Sequence, residues 1–164
     1  MVSIVTFKRT VQPALHELRK VLMCAQQASM ANLLDKPRVS KLTEGPVKVL
    51  VADDTLVMRR AICGFFRNRL EIEVVGEAAD YAQTVQMAND FRPEIILMDL
   101  HLACRPGITP LDVRTHLNHG SRLVAVSIAN DEEAKAQAQS FGAVTLLDKM
   151  KLFDELIPTI LAVR

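Results

Sequence analysis

The sequence predicts an α/β fold: a doubly wound, five-stranded parallel sheet with five helices, preceded by an N-terminal helical extension. Three observations carry this. From residue 47 onward, short apolar runs alternate with amphipathic stretches of helical period. The apolar runs are nearly continuous, which means burial on both faces, as in parallel sheets covered by helices. Strand and helix alternate at short spacing, and right-handed crossovers then place helices on both sides of the sheet.

Val47–Ala52 is apolar apart from Lys48 and reads as the first strand. Leu56–Leu70 reads as a helix, with Leu56, Val57, Ile62, Phe65, Phe66 and Leu70 near helical spacing. Ile72–Ala78 is the second strand. Tyr81–Phe91 is the second helix, closed by Arg92-Pro93 because a residue before proline avoids helical geometry. Glu94–Asp99, with Ile95, Ile96, Leu97 and Met98, is a fully buried third strand. A loop with Pro106, Gly107 and Pro110 leads to the third helix, Leu111–Leu117, and then to the fourth strand, Arg122–Ile128. Glu132–Phe141 is the fourth helix, ended by Gly142 as C-cap. Val144–Leu147 is a short fifth strand, and Leu152–Val163 is the last helix, with Pro158 an irregularity inside it.

The chain divides into residues 1–46, a helical extension and linker, and residues 47–164, the α/β domain. Val11, Ala14, Leu15, Leu18, Val21, Leu22, Ala25 and Ala28 form an apolar stripe at helical spacing. Pro13 suits a first helical turn, and Lys36–Pro46, with Pro37, Gly45 and Pro46, reads as linker. A lone helix of this length is marginal in water, so the stripe needs a partner: the α/β domain, a second copy in a homodimer, or another protein. Translation from Met30 would remove the stripe and is the alternative.

Composition narrows the classes. With 164 residues and 49% hydrophobic content, the chain holds one sizeable core plus an appendage. Net charge is +1, which favours neither nucleic acid nor its avoidance. Residues 1–46 carry seven basic and three acidic side chains, whereas residues 47–164 carry thirteen and sixteen. Cys24, Cys63 and Cys104 are odd in number and no CxxC occurs, so neither a disulfide framework nor a zinc site is indicated. Reduced thiols suit a cytoplasmic protein. No apolar run reaches the roughly 18 residues of a membrane span, and the N-terminus does not read as a signal peptide.

Sites in open parallel sheets lie beyond the carboxyl ends of the strands. The first strand runs into Asp53-Asp54, the third ends in Asp99, the fourth ends in Ser127, and the fifth is followed by Lys149. Three carboxylates, a hydroxyl and an ammonium therefore fall at one edge of the sheet. Clustered carboxylates raise one another's pKa. A hard cation relieves this, and Mg²⁺ prefers a few carboxylates, waters and phosphate oxygens. Asp99, on the central buried strand, is the natural nucleophile. Lys149 brings positive charge to a phosphoryl oxygen, and the Ser127 hydroxyl donates to another; positioning and charge neutralisation are most of what phosphoryl transfer requires. Taken singly, each has an ordinary role: Asp54 as a helix N-cap, Asp99 at a loop entry, Lys149 in solvent, Ser127 bonded to its own backbone. Taken together, five suitable residues at four strand ends favour the chemical reading.

The stretches "VKVLVADDTLVMRRAICGFF", "EVVGEAAD", "RPEIILMDL", "LVAVSIANDEE" and "FGAVTLLDKM" resemble the five signature segments of CheY-like response-regulator receiver domains. The first resembles the chemotaxis regulators, and the second and fourth resemble the NarL/LuxR branch. The resemblance covers residues 47–163 and implies a flavodoxin-like fold. It implies that Asp99 is the phosphoacceptor of a two-component phosphorelay. Asp54, Asp53 and the backbone carbonyl of His101 would join Asp99 in binding Mg²⁺, with Ser127 as switch hydroxyl and Lys149 as the phosphate-binding lysine. Gly107, eight residues after Asp99, matches a family glycine. The implied partners are a sensor histidine kinase or phosphotransfer protein and a downstream protein target.

The sequence departs from the family pattern in places. Leu102 and Ala103 stand where Met-Pro is usual, Leu146 replaces the switch aromatic, Met150 replaces a proline, and Ile128 is bulkier than the small residue often found there. The chain ends shortly after the last helix, so the expectation is a receiver without a DNA-binding domain and without direct DNA binding. Arg59, Arg60, Arg67 and Arg69 lie on or near the first helix, as a solvated face or a partner-docking surface. No enzyme activity is expected beyond the receiver's own phosphorylation and dephosphorylation. A haloacid-dehalogenase-type enzyme needs a second Asp two residues after its nucleophile, and Leu100-His101 does not supply it. The remaining rival is a degenerate pseudo-receiver acting as an interaction scaffold.

Overall fold

The computed structural model describes residues 45–117 and 120–164. The leader stripe and most of the expected linker lie outside the described residues. Five strands, β1 (Val47–Ala52), β2 (Ile72–Ala78), β3 (Ile95–Asp99), β4 (Arg122–Ser127) and β5 (Thr145–Asp148), form one all-parallel sheet in the order β2-β1-β3-β4-β5. The described helices are α1 (Leu56–Phe66), α2 (Tyr81–Phe91), α3 (Leu100–Ala103), α4 (Pro110–Leu117), α5 (Glu132–Ser140) and α6 (Leu152–Val163).

Side chains alternate across a strand, and here both sets are apolar. Val47, Val49 and Val51 of β1, Ile95 and Leu97 of β3, and Val124 and Val126 of β4 pack with Met58, Ile62 and Phe66 of α1 and with Leu152, Phe153, Leu156 and Ile160 of α6. Leu50 and Ala52, Ile96 and Met98, and Leu123 and Ala125 face the other way, against Ala88 of α2, Val113 and Leu117 of α4, and Ala134 and Ala138 of α5. Two cores on the two faces of one sheet follow from strands without a polar side.

Several element bounds differ from expectation, and one helix is added. The first helix ends at Phe66 rather than Leu70; Leu70 is 94% exposed and belongs to the turn into β2. Its apolar character fitted the helical spacing but finds no core. A sixth helix, the single turn α3, follows Asp99 directly, with Leu102 and Ala103 fully buried. These two residues replace the family's Met-Pro, and neither is a proline that would deny the turn its backbone donors. The β1–β2 register shifts between Val49 and Leu50, leaving Val75 as the extra residue. Gly76 lies beside it, where a Cβ would come within 3.1 Å of Leu50 Cδ1 and 3.2 Å of Met87 Sδ. Gly142 closes α5 in the left-handed region (φ +83°) and donates to Gln139 O, as expected of a C-cap.

Candidate functional site

Register brings the strand ends level. Ala52 pairs with Met98 and Met98 with Ala125, so the residues that follow, Asp53 and Asp99, emerge side by side. Ser127 pairs with Asp148, and the next residue, Lys149, donates its backbone N–H to Ser127 O at 2.8 Å. All five residues expected from the strand-end pattern therefore reach one edge of the sheet. Asp53, Asp99, Ser127 and Lys149 are buried, and Asp54 is exposed.

Lys149 is the hub of the centre. Its Nζ donates to Asp53 Oδ2 at 2.8 Å and to Asp99 Oδ2 at 2.7 Å. The other oxygens accept from backbone: Asp53 Oδ1 from Thr55 N at 2.8 Å, and Asp99 Oδ1 from His101 N at 3.1 Å. The His101 side chain is exposed. Asp54 is not the cap of α1; Thr55 holds that position, without a side-chain capping bond. Asp54 instead accepts from Thr55 Oγ1 at 3.2 Å and from Arg105 Nη2 at 3.1 Å. Ser127 Oγ accepts from Ala129 N at 3.2 Å, the local backbone bond that serine readily makes.

Burial pushes the Asp53 carboxyl above its ordinary range; Lys149 opposes this and the Asp99 charge adds to it, and the net is upward. Burial works against the Lys149 ammonium, but the Asp99 and Asp53 carboxylates outweigh it and hold its pKa above that of an ordinary lysine. The Cys104 thiol, near Asp99, is raised by burial first and by that carboxylate second. Cys63 is pushed up to about 12 by burial, with Glu77 adding to it. Both shifts disfavour the thiolate, the nucleophilic form of cysteine. One carboxylate oxygen from each of Asp53, Asp54 and Asp99 lies within 4.8 Å of the others, so this donor set fits a hard divalent cation.

Two arginines enter the site without having been singled out for it. Arg59 of α1 donates from Nη1 to Asp53 O at 2.6 Å; read as part of a solvated or docking face, it is half-buried against the acidic turn. Arg105, in the segment after α3, reaches Asp54. Nothing in the periodicity marks Arg105, since it contacts a residue more than fifty positions away.

A parallel sheet with an acidic centre at its carboxyl edge, neutralised from inside by a lysine, defines a class of signalling α/β proteins. The chain belongs to the response regulator receiver domain family, which matches residues 49–161. Receivers of this family serve two-component signalling, and the fold is the flavodoxin-like one. The protein-glutamate methylesterase/protein-glutamine glutaminase 2 of Shewanella oneidensis is 34% identical over 108 residues, 65% of this chain and 30% of that protein. The nitrate/nitrite response regulator NarL of Escherichia coli is 31% identical over 98 residues, 60% of this chain and 45% of NarL. The chain thus spans about half or less of the length of these curated relatives. The receiver of a NarL from Mycobacterium tuberculosis superposes with a TM-score of 0.63 at 23% identity, covering 73% of this chain and 96% of that one. The R. sphaeroides CheY6, solved with the P1 domain of CheA3, gives 0.63 at 22%, covering 73% and 98%. At such identities the structural likeness bears on fold. No helix among the described residues is long and apolar enough to cross a membrane.

Proposed function

We propose that the chain accepts a phosphoryl group on Asp99 from a histidine kinase or phosphotransfer protein and thereby changes its binding to a downstream protein. The observation that carries this reading is the buried Asp99 carboxylate on the central strand, held by Lys149 at 2.7 Å and flanked by Asp53 and Asp54. In the transfer, an Asp99 oxygen attacks phosphorus, a P–O bond forms, and the donor's P–N bond breaks. The departing imidazole takes up a proton. Asp53, Asp54, Asp99 and the His101 backbone carbonyl would hold Mg²⁺, which when bound offsets the negative charge of the carboxylates and phosphoryl oxygens. Lys149 is already at Asp99 and neutralises the added charge without long-range movement. The Ser127 hydroxyl donates to the new phosphoryl group on giving up its bond from Ala129 N.

That exchange biases a two-state element around β4, β5, α5 and α6. Leu146, half-buried where the family carries an aromatic, makes the response smaller. The CheA3–CheY6 complex supports a phosphotransfer domain as the donor. The downstream target is a protein reached through the switched face, in the cytoplasm, and not DNA contacted by this domain.

Labelling with acetyl phosphate in Mg²⁺ tests the reading. Wild type should take up an acid-stable, alkali-labile label, and Asp99→Asn should fold and take up none. Persistent labelling of the variant at full yield would refute the assignment of Asp99. A wild type that never labels would favour a scaffold role, for which Leu146 and Ala103 are the residues to suspect.

A further inference from the structure

We propose that Arg105 is a counter-ion latch on Asp54 that a divalent cation must displace, so that this arginine sets the metal affinity of the site. The proposal rests on the reading of Asp53, Asp54 and Asp99 as metal ligands. The three carboxylates are not served alike. Asp53 and Asp99 are buried and share the Lys149 ammonium, whereas Asp54 is exposed and answers to Arg105, whose Nη2 lies 3.1 Å from Asp54 Oδ2.

Asp54 already accepts from Arg105 at Oδ2 and from Thr55 Oγ1 at Oδ1, so a cation coordinated by this carboxylate competes with the guanidinium for its charge. It also brings a second positive charge against the first. Lys149 cannot yield, because its ammonium is buried between two carboxylates. Arg105 can, because its side chain is 53% exposed and a swing into solvent leaves no buried charge unpaired. An ion pair of that exposure corresponds to a factor of about two to five in a binding constant. The latch also ties the end of β1 to the segment between α3 and α4, so cation binding frees that segment as it releases the arginine.

The test is calorimetric titration of the full chain with MgCl₂, without phosphodonor, for wild type, Arg105→Gln and Asp54→Ala. Arg105→Gln should bind Mg²⁺ about two- to five-fold more tightly at low ionic strength, with the gap closing as salt rises. An arginine with a merely structural role would leave affinity unchanged or weaken it, and either result overturns the latch while the metal reading stands. Absence of Mg²⁺ binding in wild type, or unchanged binding in Asp54→Ala, overturns both. In wild type the Arg105 Nε–H resonance should move on saturation with Mg²⁺. An unmoved resonance in a protein that binds the metal overturns the latch alone.

Discussion

Asp53 and Asp99 each give one oxygen to Lys149 Nζ, at 2.8 and 2.7 Å, and all three side chains are shielded from water. Removing one partner of a buried ionic group leaves the others uncompensated. Lys149→Met should therefore lower stability by about 3–5 kcal/mol at neutral pH without metal. The sign of its pH dependence follows from linkage. Without the ammonium, the folded-state pKa of the Asp53 carboxyl, already raised by burial, rises further above the unfolded value of about 3.9. Such groups favour the fold below their unfolded pKa, and that advantage is lost as pH rises through the folded pKa. Denaturant unfolding should show a small deficit near pH 4.5 and the full deficit near pH 7.5. Equal deficits at the two values would count against this account of the triad.

The N-terminus of α4 is built as a capping box. Thr109 Oγ1 accepts from Asp112 N at 3.2 Å, while Asp112 Oδ2 accepts from Thr109 N at 2.8 Å and from Thr109 Oγ1 at 2.6 Å. Pro110 takes the first helical position, where no backbone donor is needed. The helix accordingly starts one residue before the expected Leu111. Thr109→Ala should cost about 1 kcal/mol, measured as a shift in the denaturant midpoint at unchanged slope. The bonds from Thr109 hold the Asp112 carboxyl below its usual 3.8. Its contribution is present above that value and is lost as pH falls through the depressed one. The cost of Thr109→Ala should thus shrink in acid.

Across the whole molecule, stability rests on two cores separated by one sheet. Leu156 of α6 is fully buried among Val and Ile side chains of the first core. Leu156→Ala should destabilise by about 2–5 kcal/mol, read by thermal or denaturant unfolding. The folded fraction should still label with acetyl phosphate, because the acidic centre lies at the strand ends. The division at residue 46 is a proposal at this scale. Deleting residues 1–45 should leave Asp99 labelling intact and change oligomeric state or partner binding. A truncated chain that neither folds nor labels would make the leader part of the receiver core.

Burial on both strand faces, the order of elements and the delivery of Asp53, Asp54, Asp99, Ser127 and Lys149 to one edge were legible from the residues alone. Each rests on local periodicity plus topological rules that hold for parallel sheets generally. Local spacing misled at Leu70, where an apolar residue in helical phase meets no core, and it passed over the single turn α3, too short to show a period. The sheet order, the level strand ends, the sharing of Lys149 between carboxylates 96 and 50 positions away, and the reach of Arg105 to Asp54 belong to the folded chain. They depend on where distant segments come to rest and how long side chains extend across the gap between them. A pattern that repeats every two to four residues cannot encode contacts between groups so far apart in the chain.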